Sequence, residues 1–387
     1  MWSTFWDGEK FTRYSKPLKA KAYYLNHYID LLTGASHPFK FDQFKEYLET
    51  IKLQTTEFEA KRIFHLFYEA GYEFNDLEFS SDDTLLVLEL EYERQDKWTP
   101  ITSSTEISLR PLKGVHKRKY KEDFKKVQRH LKNGDCYQVN LTYDFEFAIN
   151  EDYSADDICS KLWAKRENIS PYAHATFVEE LDLLLLSNSP ECLFNSRVES
   201  TEPVIWSMPI KGTLPRTENW KRDWEKLLSS NKDQAELNMI TDLLRNDLTR
   251  IELSASRVVK KNEPLLVPKI IHQYSLITTR LSQDANLLKV VRAMFPGGSI
   301  TGAPKLKVMQ IIKDIEKRNR GAYCGSTILM ANRMCNSSIN IRTAVVDLKN
   351  RKLNYSAGGG ITLLSNCEDE FLEMHLKKDS FIKILIS

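Results

Sequence analysis

The chain has 387 residues, 42% of them hydrophobic and 11% aromatic, so it holds enough apolar material for a large buried core and is not typical of a disordered protein. Its 55 basic and 53 acidic side chains leave a formal net charge of +2, which gives no electrostatic case for nucleic-acid binding. The longest apolar run, Leu183 to Leu186, is far too short to cross a bilayer.

Cysteine usage agrees with an intracellular protein. None of the six cysteines lies in a C-x-x-C pair, so neither a zinc ribbon nor a redox motif is predicted. A chain of this length does not need disulfides for stability. We therefore expect a soluble, cytoplasmic protein that binds neither nucleic acid nor membranes.

The first part of the chain predicts an irregular α+β region over residues 1–113. It holds a helix from Phe41 to Lys52 and strand-like alternation from Leu85 to Glu91. The proline and glycine of residues 111–114 (PLKG) suggest a domain boundary there, with a second domain over residues 114–387. The basic run that begins at Lys117 is the solvated face of a helix, because Phe124, Val127 and Leu131 follow it at helical spacing.

The rest of the chain mixes strands and helices without a repeated βαβ unit, which favours an α+β fold. The 234–246 helix is amphipathic, because Leu237, Ile240 and Leu244 share one face. Lys349-Asn350-Arg351 is predicted to turn a hairpin. The predicted strands are 137–147, 182–186, 345–348 and 353–356, and the predicted helices are 234–246, 306–317 and 367–378.

Two glycine-rich segments could approach a ligand closely. Residues 296–305 (PGGSITGAPK) combine glycines with the hydroxyls of Ser299 and Thr301 ahead of a helix, which suits a carboxylate. An ordinary helix-capping loop explains them equally well. The triplet Gly358 to Gly360 follows a strand, where a ligand, a bulge or a tight bend would each account for it.

Carboxylates and one lysine offer further chemistry. Glu236 begins one amphipathic helix, and Glu370, Glu373 and Lys377 share a face of the last helix. Two such helices could bind Mg²⁺, which needs only one or two carboxylates beside water and substrate oxygens, although solvated ion pairs are the commoner explanation. Lys211, if partly buried, could serve as a nucleophile, although on its own a surface lysine with its amine in solvent is the commoner explanation.

In this order, the segments resemble the chorismate-utilising enzymes: anthranilate synthase component I, aminodeoxychorismate synthase component I, and the isochorismate and salicylate synthases. The resemblance runs from about Lys117 to Lys378. Besides the glycine-rich segments and the terminal helix, the matching stretches are 134–142 (GDCYQVNLT), 189–191 (SPE), 209–213 (PIKGT), 233–236 (DQAE), 242–247 (DLLRND), 272–275 (HQYS), 320–325 (RGAYCG) and 340–343 (NIRT).

The resemblance implies a fold and a set of site residues. The fold is a layered antiparallel β-sandwich with helices packed outside, as in anthranilate synthase component I, continued by residues 1–113 and with the active site in a central cleft. The implied Mg²⁺ ligands are Glu236 and Glu373, with Glu370 acting through water. The positions implied to bind chorismate are Gln138, Ser299, Thr301, Tyr323, Arg342, Gly358, Gly360 and Lys377.

Two positions distinguish the members. Gln138 stands where the isochorismate and salicylate synthases carry a water-activating lysine, and Lys211 stands where anthranilate synthases have a small residue. The resemblance is therefore greatest to the aminodeoxychorismate branch, which makes 4-amino-4-deoxychorismate for 4-aminobenzoate and folate. It implies that Lys211 bonds covalently to chorismate, that Glu191 is the general acid and that His272 orients groups or transfers a proton.

The resemblance also implies a partner. Ammonia would come from a separate glutamine amidotransferase subunit, because no cysteine of this chain lies in a Gly-x-Cys-x-Gly elbow. The alternatives are anthranilate synthase component I, which Lys211 disfavours, and a non-catalytic chorismate-binding paralogue. A binding protein would need neither an acid nor a nucleophile, so the presence of Glu191 and Lys211 argues against it.

Overall fold

Antiparallel strands form most of the computed structural model, which describes residues 1–53, 61–101, 106–197, 203–252, 256–267, 270–331 and 334–386. Within these residues every strand ladder is antiparallel. The strands are β1 (Trp2–Trp6), β2 (Phe11–Tyr23), β3 (His27–Asp30), β4 (Ser36–Pro38), β5 (Lys61–Leu66), β6 (Val87–Trp98), β7 (Leu109–Lys113), β8 (Gln138–Ile149), β9 (Tyr172–Val178), β10 (Leu183–Ser189), β11 (Cys192–Arg197), β12 (Val204–Ser207), β13 (Ile210–Pro215), β14 (Arg257–Val267), β15 (Ile270–Arg280), β16 (Gly302–Ala303), β17 (Ser326–Ala331), β18 (Met334–Ile339), β19 (Thr343–Asp347) and β20 (Lys352–Ile361).

Helices cover the outer faces of the strands. None of those in the described ranges is both long and apolar enough to cross a membrane. They are α1 (Phe41–Thr50), α2 (Ala70–Phe74), α3 (Lys117–Lys132), α4 (Ala155–Trp163), α5 (Trp220–Leu228), α6 (Asn231–Glu252), α7 (Leu287–Met294), α8 (Gly298–Thr301), α9 (Lys305–Glu316) and α10 (Cys367–Ile386).

The ladders join most of the strands in one spatial order. It runs β7–β8–β20–β19–β10–β9–β1–β2–β6–β5–β17–β18–β11–β12–β15, and β13 and β14 also pair with β15. The β1–β9 and β5–β17 ladders pair strands from before residue 113 with strands from after it. The domain boundary at residue 113 stays a prediction.

Side chains of β10 alternate between two buried apolar clusters, one on each face of the strand. Leu185 belongs to one buried cluster with Ile63 of β5 and Leu90 of β6, whereas Leu184 and Leu186 belong to the cluster formed with α3, α4, α9 and α10. Successive side chains of a strand point to opposite faces, so a continuous leucine run is needed where both faces are buried. The predicted α+β sandwich with helices outside is confirmed.

Most predicted elements are present, with shifted ends. The helix predicted over 41–52 is α1, and the predicted hairpin is β19 and β20, turned at Lys349-Asn350-Arg351. The last helix was predicted to end at Lys378 but continues to Ile386. Phe381, Ile382 and Leu385 are buried there, so tertiary packing extends the helix.

Leu185→Ala tests the apolar cluster that contains Leu185, Ile63 and Leu90. Leu185 is 1% exposed, and we expect the substitution to lower the free energy of unfolding by about 2–5 kcal/mol, because it leaves a cavity between packed strands. Urea unfolding measures the change. Leu18→Ala is the matched control, because Leu18 lies on a strand but is 57% exposed, and its effect should stay within about 0.5 kcal/mol. Equal effects of the two substitutions would contradict this packing.

Candidate functional site

A bulge in β13 positions Lys211. Lys211 pairs with Gln273 of β15, and the register then shifts before Thr213 because Gly212 is inserted with a φ of +75°. A Cβ on Gly212 would lie 2.9 Å from Leu227 of α5. Glycine at this position therefore lets β13 pack closely against the helices beside it.

Glu191 lies close to both Lys211 and Ser299. Glu191 is half-buried as a residue, but protein surrounds its carboxyl group, and burial raises the pKa of that group. The Lys211 ammonium and the Ser299 hydroxyl both oppose the rise in pKa. Ser299 Oγ is buried and makes no hydrogen bond of good geometry within the described residues. The structure thus brings together the predicted acid, the predicted nucleophile and one predicted substrate-binding hydroxyl.

His272 and Arg342 form a second group. The hydroxyl of Thr213 lies 2.7 Å from Nδ1 of His272. Burial lowers the pKa of His272, a backbone hydrogen bond with Gly212 opposes this, and the charge of Arg342 lowers it again. Arg342 is exposed, has a φ of +51°, and its carbonyl accepts a hydrogen bond from the amide N–H of Asn188. Its guanidinium is therefore accessible close to the imidazole.

The glycine triplet lies inside a strand. The sequence predicts that the triplet follows the strand, but β20 continues to Ile361 and pairs with β8 throughout. A Cβ on Gly358 would overlap the carbonyl oxygen of Leu141, and a Cβ on Gly360 would lie 2.5 Å from Nε2 of Gln138. The glycines therefore allow β8 and the predicted Gln138 to approach the strand.

The acidic face of α10 lies over this triplet. A Cβ on Gly359 would lie 2.9 Å from Oε2 of Glu370, and the other oxygen of Glu370 accepts a hydrogen bond from Ser365 at 2.8 Å. Lys377 donates to the carbonyl of Gly358 at 2.9 Å and pairs with Glu373 at 2.8 Å. The predicted helical face is thus in contact with the predicted glycines.

The short helix α8 connects these groups. It packs against α6, α9, β8 and β20. Thr301 is fully buried, and its hydroxyl donates to the carbonyl of Gly297 at 2.9 Å, so in this structure it fixes the turn. A Cβ on Gly298 would overlap Leu243 of α6, which explains the need for glycine at this crossing.

Arg320 supports the site, and no role had been predicted for it. Its guanidinium forms a two-pronged ion pair with Glu316 at 2.7 and 3.1 Å. It also donates to the carbonyls of Ile300 at 2.9 Å and Asn140 at 2.6 Å. These bonds hold α8 and β8 in place. The spacing of Glu316 and Arg320, four residues apart at a helix end, could have predicted this ion pair. The same spacing is common on solvated helices, so it does not single out Arg320.

Tyr323 lies on the segment that follows Arg320. It is 8% exposed, and burial raises the pKa of its phenol well above its usual range. Tyr355 of β20 lies close enough to add to this rise, and the charge of Arg342 in turn lowers the pKa of Tyr355. Tyr323 is therefore near the strand that carries the glycine triplet.

A second buried ion pair also lies outside the prediction. Lys305 of α9 pairs with Asp247 of α6 at 3.0 Å, with 7% and 2% of the two side chains exposed. Burial raises the pKa of Asp247, and Lys305 opposes the rise. Lys305 also donates to the carbonyl of Ala293 at 2.9 Å. The pair joins the two helices on either side of α8.

The predicted metal ligands are oxygen donors on two helices. Glu236 is half-buried on α6, whereas Glu370 and Glu373 lie on α10. No group of three or more His, Cys, Asp and Glu side chains in the described residues is placed to hold a metal ion. Mg²⁺ can take one or two carboxylates and fill its shell with water and substrate oxygens. The donor type therefore fits Mg²⁺, and Glu373 would have to exchange Lys377 for the metal.

Comparisons with known proteins agree on one family. A family model described as chorismate binding enzyme matches residues 43–383. The chain is 40% identical to "Aminodeoxychorismate synthase component 1" of Salmonella typhimurium over 66% of this chain and 54% of that protein. It is 38% identical to the Escherichia coli protein of the same name over 70% of this chain and 58% of that protein. The chain thus spans little more than half the length of these relatives.

A solved structure shows the same fold. Anthranilate synthase component I from Streptococcus pneumoniae matches with a TM-score of 0.76 over 96% of this chain and 91% of that chain. The sequence identity is 20%, so the likeness concerns the fold alone.

Glu191→Gln tests the buried carboxyl group. A carboxyl whose pKa is raised by folding costs stability as the pH rises above its unfolded pKa, which is near the usual 4.5. We expect the difference in the free energy of unfolding, variant minus wild type, to be constant below pH 4.5 and to increase at higher pH. Urea unfolding at several pH values measures it. The matched control is Glu218→Gln, at an exposed position, which should give a constant difference. A constant or falling difference for Glu191→Gln would contradict the burial of its charge.

Proposed function

The chain belongs to the family of chorismate-binding enzymes, and we propose that it is the chorismate-aminating component of an aminodeoxychorismate synthase. The observation that carries the proposal is the lysine at position 211 beside the buried carboxyl of Glu191. The proposed reaction converts chorismate and ammonia into 4-amino-4-deoxychorismate and water in the cytoplasm, for 4-aminobenzoate and folate synthesis. The names of the relatives at 38–40% identity support this activity.

Lys211 and Glu191 are proposed to carry the first step. The neutral amine of Lys211 bonds to C2 of the ring while the C4–oxygen bond breaks, and Glu191 protonates the departing hydroxyl to give water. The adduct nitrogen loses one proton, which balances the proton given by Glu191. Burial supports the role of Glu191 as the acid, because its raised pKa favours the protonated form.

Ammonia completes the reaction. It bonds to C4 while the C2–nitrogen bond breaks, and one proton passes from the new ammonium group to the departing lysine nitrogen. His272 lies close enough to Arg342 and Thr213 to orient groups or to transfer a proton in this step. We propose that a separate glutamine amidotransferase supplies the ammonia, a view that the component 1 names of the relatives support.

The two carboxylates of chorismate need cationic and hydrogen-bonding partners. Arg342 is exposed and can bind a carboxylate with two parallel hydrogen bonds. The other proposed partners are Gln138, Ser299, Thr301, Tyr323, Lys377 and the backbone at Gly358 and Gly360. Mg²⁺, when held by Glu236 and Glu373 with Glu370 acting through water, would neutralise the ring carboxylate.

Product identification tests the function. The chain is incubated with chorismate, Mg²⁺ and ammonium, and the products are separated by chromatography. We expect 4-amino-4-deoxychorismate. Anthranilate would instead indicate an anthranilate synthase component I, and the absence of any product would indicate a chorismate-binding paralogue; either result would overturn the proposal.

Lys211→Ala tests the nucleophile. We expect amination to fall by at least about 100-fold, because the barrier to direct displacement at C4 is no longer divided into two steps. Chorismate should still bind, as measured by calorimetry. Lys221→Ala is the matched control, because Lys221 is an exposed lysine of α5. Unchanged amination by the Lys211→Ala chain would remove the covalent role.

Arg342→Lys and Arg342→Gln test the carboxylate contact. We expect the KM for chorismate to rise about tenfold or more with Gln and by less with Lys, because a lysine keeps the charge but loses the two-pronged geometry. Steady-state kinetics measure the KM. Arg292→Gln, at an arginine half-exposed on α7 and paired with Asp76, is the control. A KM that does not change in either Arg342 variant would place the carboxylate elsewhere.

A further inference from the structure

We propose that Glu69, from the N-terminal region, is a positioning residue of the site: its carboxylate holds the backbone of the loop that carries Tyr323 and so fixes the place of one chorismate carboxylate. The inference rests on the proposed function for its kinetic consequence. Its structural part concerns the chain alone and can be tested without substrate.

Two backbone amides converge on Glu69. Oε1 accepts a hydrogen bond from the N–H of Arg320 at 2.6 Å, and Oε2 accepts one from the N–H of Gly321 at 3.0 Å. The amide N–H of Tyr68 donates to the carbonyl of Gly321 at 2.8 Å. Gly321 has a φ of +65°, so glycine suits a backbone that directs consecutive N–H groups at one anion.

The other end of the loop is held as firmly. Cys324 has a φ of +63°, and its N–H donates to the carbonyl of Asn340 at 2.9 Å. A Cβ on Gly325 would overlap the carbonyl oxygen of Leu66, so the loop lies directly against the end of β5. Tyr323, between the two held ends, has little freedom to move.

The same contact reaches the rest of the site through Arg320. The backbone of Arg320 is held by Glu69, while its guanidinium holds the carbonyls of Ile300 in α8 and Asn140 in β8. The ring of Tyr68 lies 4.7 Å from this guanidinium. Glu69 therefore acts on segments that carry several proposed substrate-binding residues, although no contact with substrate is assigned to it.

The charge of Glu69 suits this role. The residue is 2% exposed, and burial raises its pKa to about 7, against the effect of the hydrogen bonds from Arg320, Gly321 and its own backbone and of the Arg320 charge. At a pH above about 7 the group is an anion, which donates nothing and can accept from both amides at once. A glutamine of the same size would accept from only one amide and would turn an N–H donor towards the other.

Hydrogen exchange tests the structural part. In Glu69→Gln we expect the amides of Arg320 and Gly321 to exchange at least about tenfold faster than in the wild type, because each loses a hydrogen bond to a charged acceptor. Amides in α3 should not change. The matched control is Glu73→Gln on α2, the helix that begins directly after Glu69. Glu73 lies 3.9 Å from Lys45 and is not among the hydrogen-bond partners of the loop described above. Unchanged exchange at residues 320–321 would overturn the proposal.

A double-mutant cycle tests the kinetic part. We expect Glu69→Gln to raise the KM for chorismate about tenfold, with a smaller change in kcat. We expect a clearly smaller effect in a Tyr323→Phe background, because both changes weaken the contact made by Tyr323, and the route through Arg320 accounts for the remainder. Glu73→Gln should leave the KM unchanged. An unchanged KM, or effects that add fully in the double variant, would show that Glu69 does not act through Tyr323.

The two experiments separate this inference from the proposed function. If the wild type makes no product from chorismate while exchange at residues 320–321 rises in Glu69→Gln, the proposed function fails and the loop contact stands. If the wild type is active and exchange does not rise, the proposed function stands and the role of Glu69 is wrong. Urea unfolding of Glu69→Gln shows whether the variant is folded in either case.

Discussion

The site depends on the contacts made by the buried guanidinium of Arg320. It forms a two-pronged ion pair with Glu316, holds the carbonyls of Ile300 and Asn140, and is 4% exposed as a residue. A buried charge that loses its partner typically costs about 3–5 kcal/mol, so none of these contacts can open without a penalty. The helix α8, the strand β8 and the loop of Tyr323 are therefore held in fixed positions relative to one another, as the proposed binding of a dianionic substrate requires.

Strand pairing extends this rigidity to the N-terminal region. Trp2 to Phe5 pair with β9, and β5 pairs with β17 directly after the Tyr323 loop. Chemistry proposed for late segments of the chain thus depends on early segments. Such long-range pairing has to form before the Tyr323 loop is held in place, because its contacts Glu69 and Leu66 lie before residue 113 and the loop lies after it.

Local patterns predicted the elements that follow one period. The apolar face of Leu237, Ile240 and Leu244 predicted α6, and alternation around a turn predicted the β19–β20 hairpin. The same patterns placed the glycine triplet outside its strand, because glycine weakens a strand unless a neighbour must come close, and the closeness of Gln138 and Leu141 is visible only in three dimensions. The continuation of α10 to Ile386 likewise depends on what buries Phe381 and Leu385.

The resemblance to a known family predicted site residues that hydrophobic periodicity alone could not predict. It indicated Glu191, Lys211 and Ser299, which the fold brings together from three separate segments. It indicated no role for Arg320, Asp247 or Glu69, whose partners lie at long sequence separation or on the backbone. Backbone carbonyls and amides leave no mark in a sequence, so contacts with them are the part of a site that sequence reasoning cannot supply.

The central claim is that the amine at position 211 bonds to the ring of chorismate. The most direct measurement is the mass of the intact chain after incubation with chorismate and Mg²⁺ in the absence of ammonium, followed by mapping of the modified peptide. The account predicts a gain equal to chorismate less one water, located on Lys211. An unmodified chain that nevertheless aminates chorismate when ammonium is added, or an adduct on another residue, would contradict it.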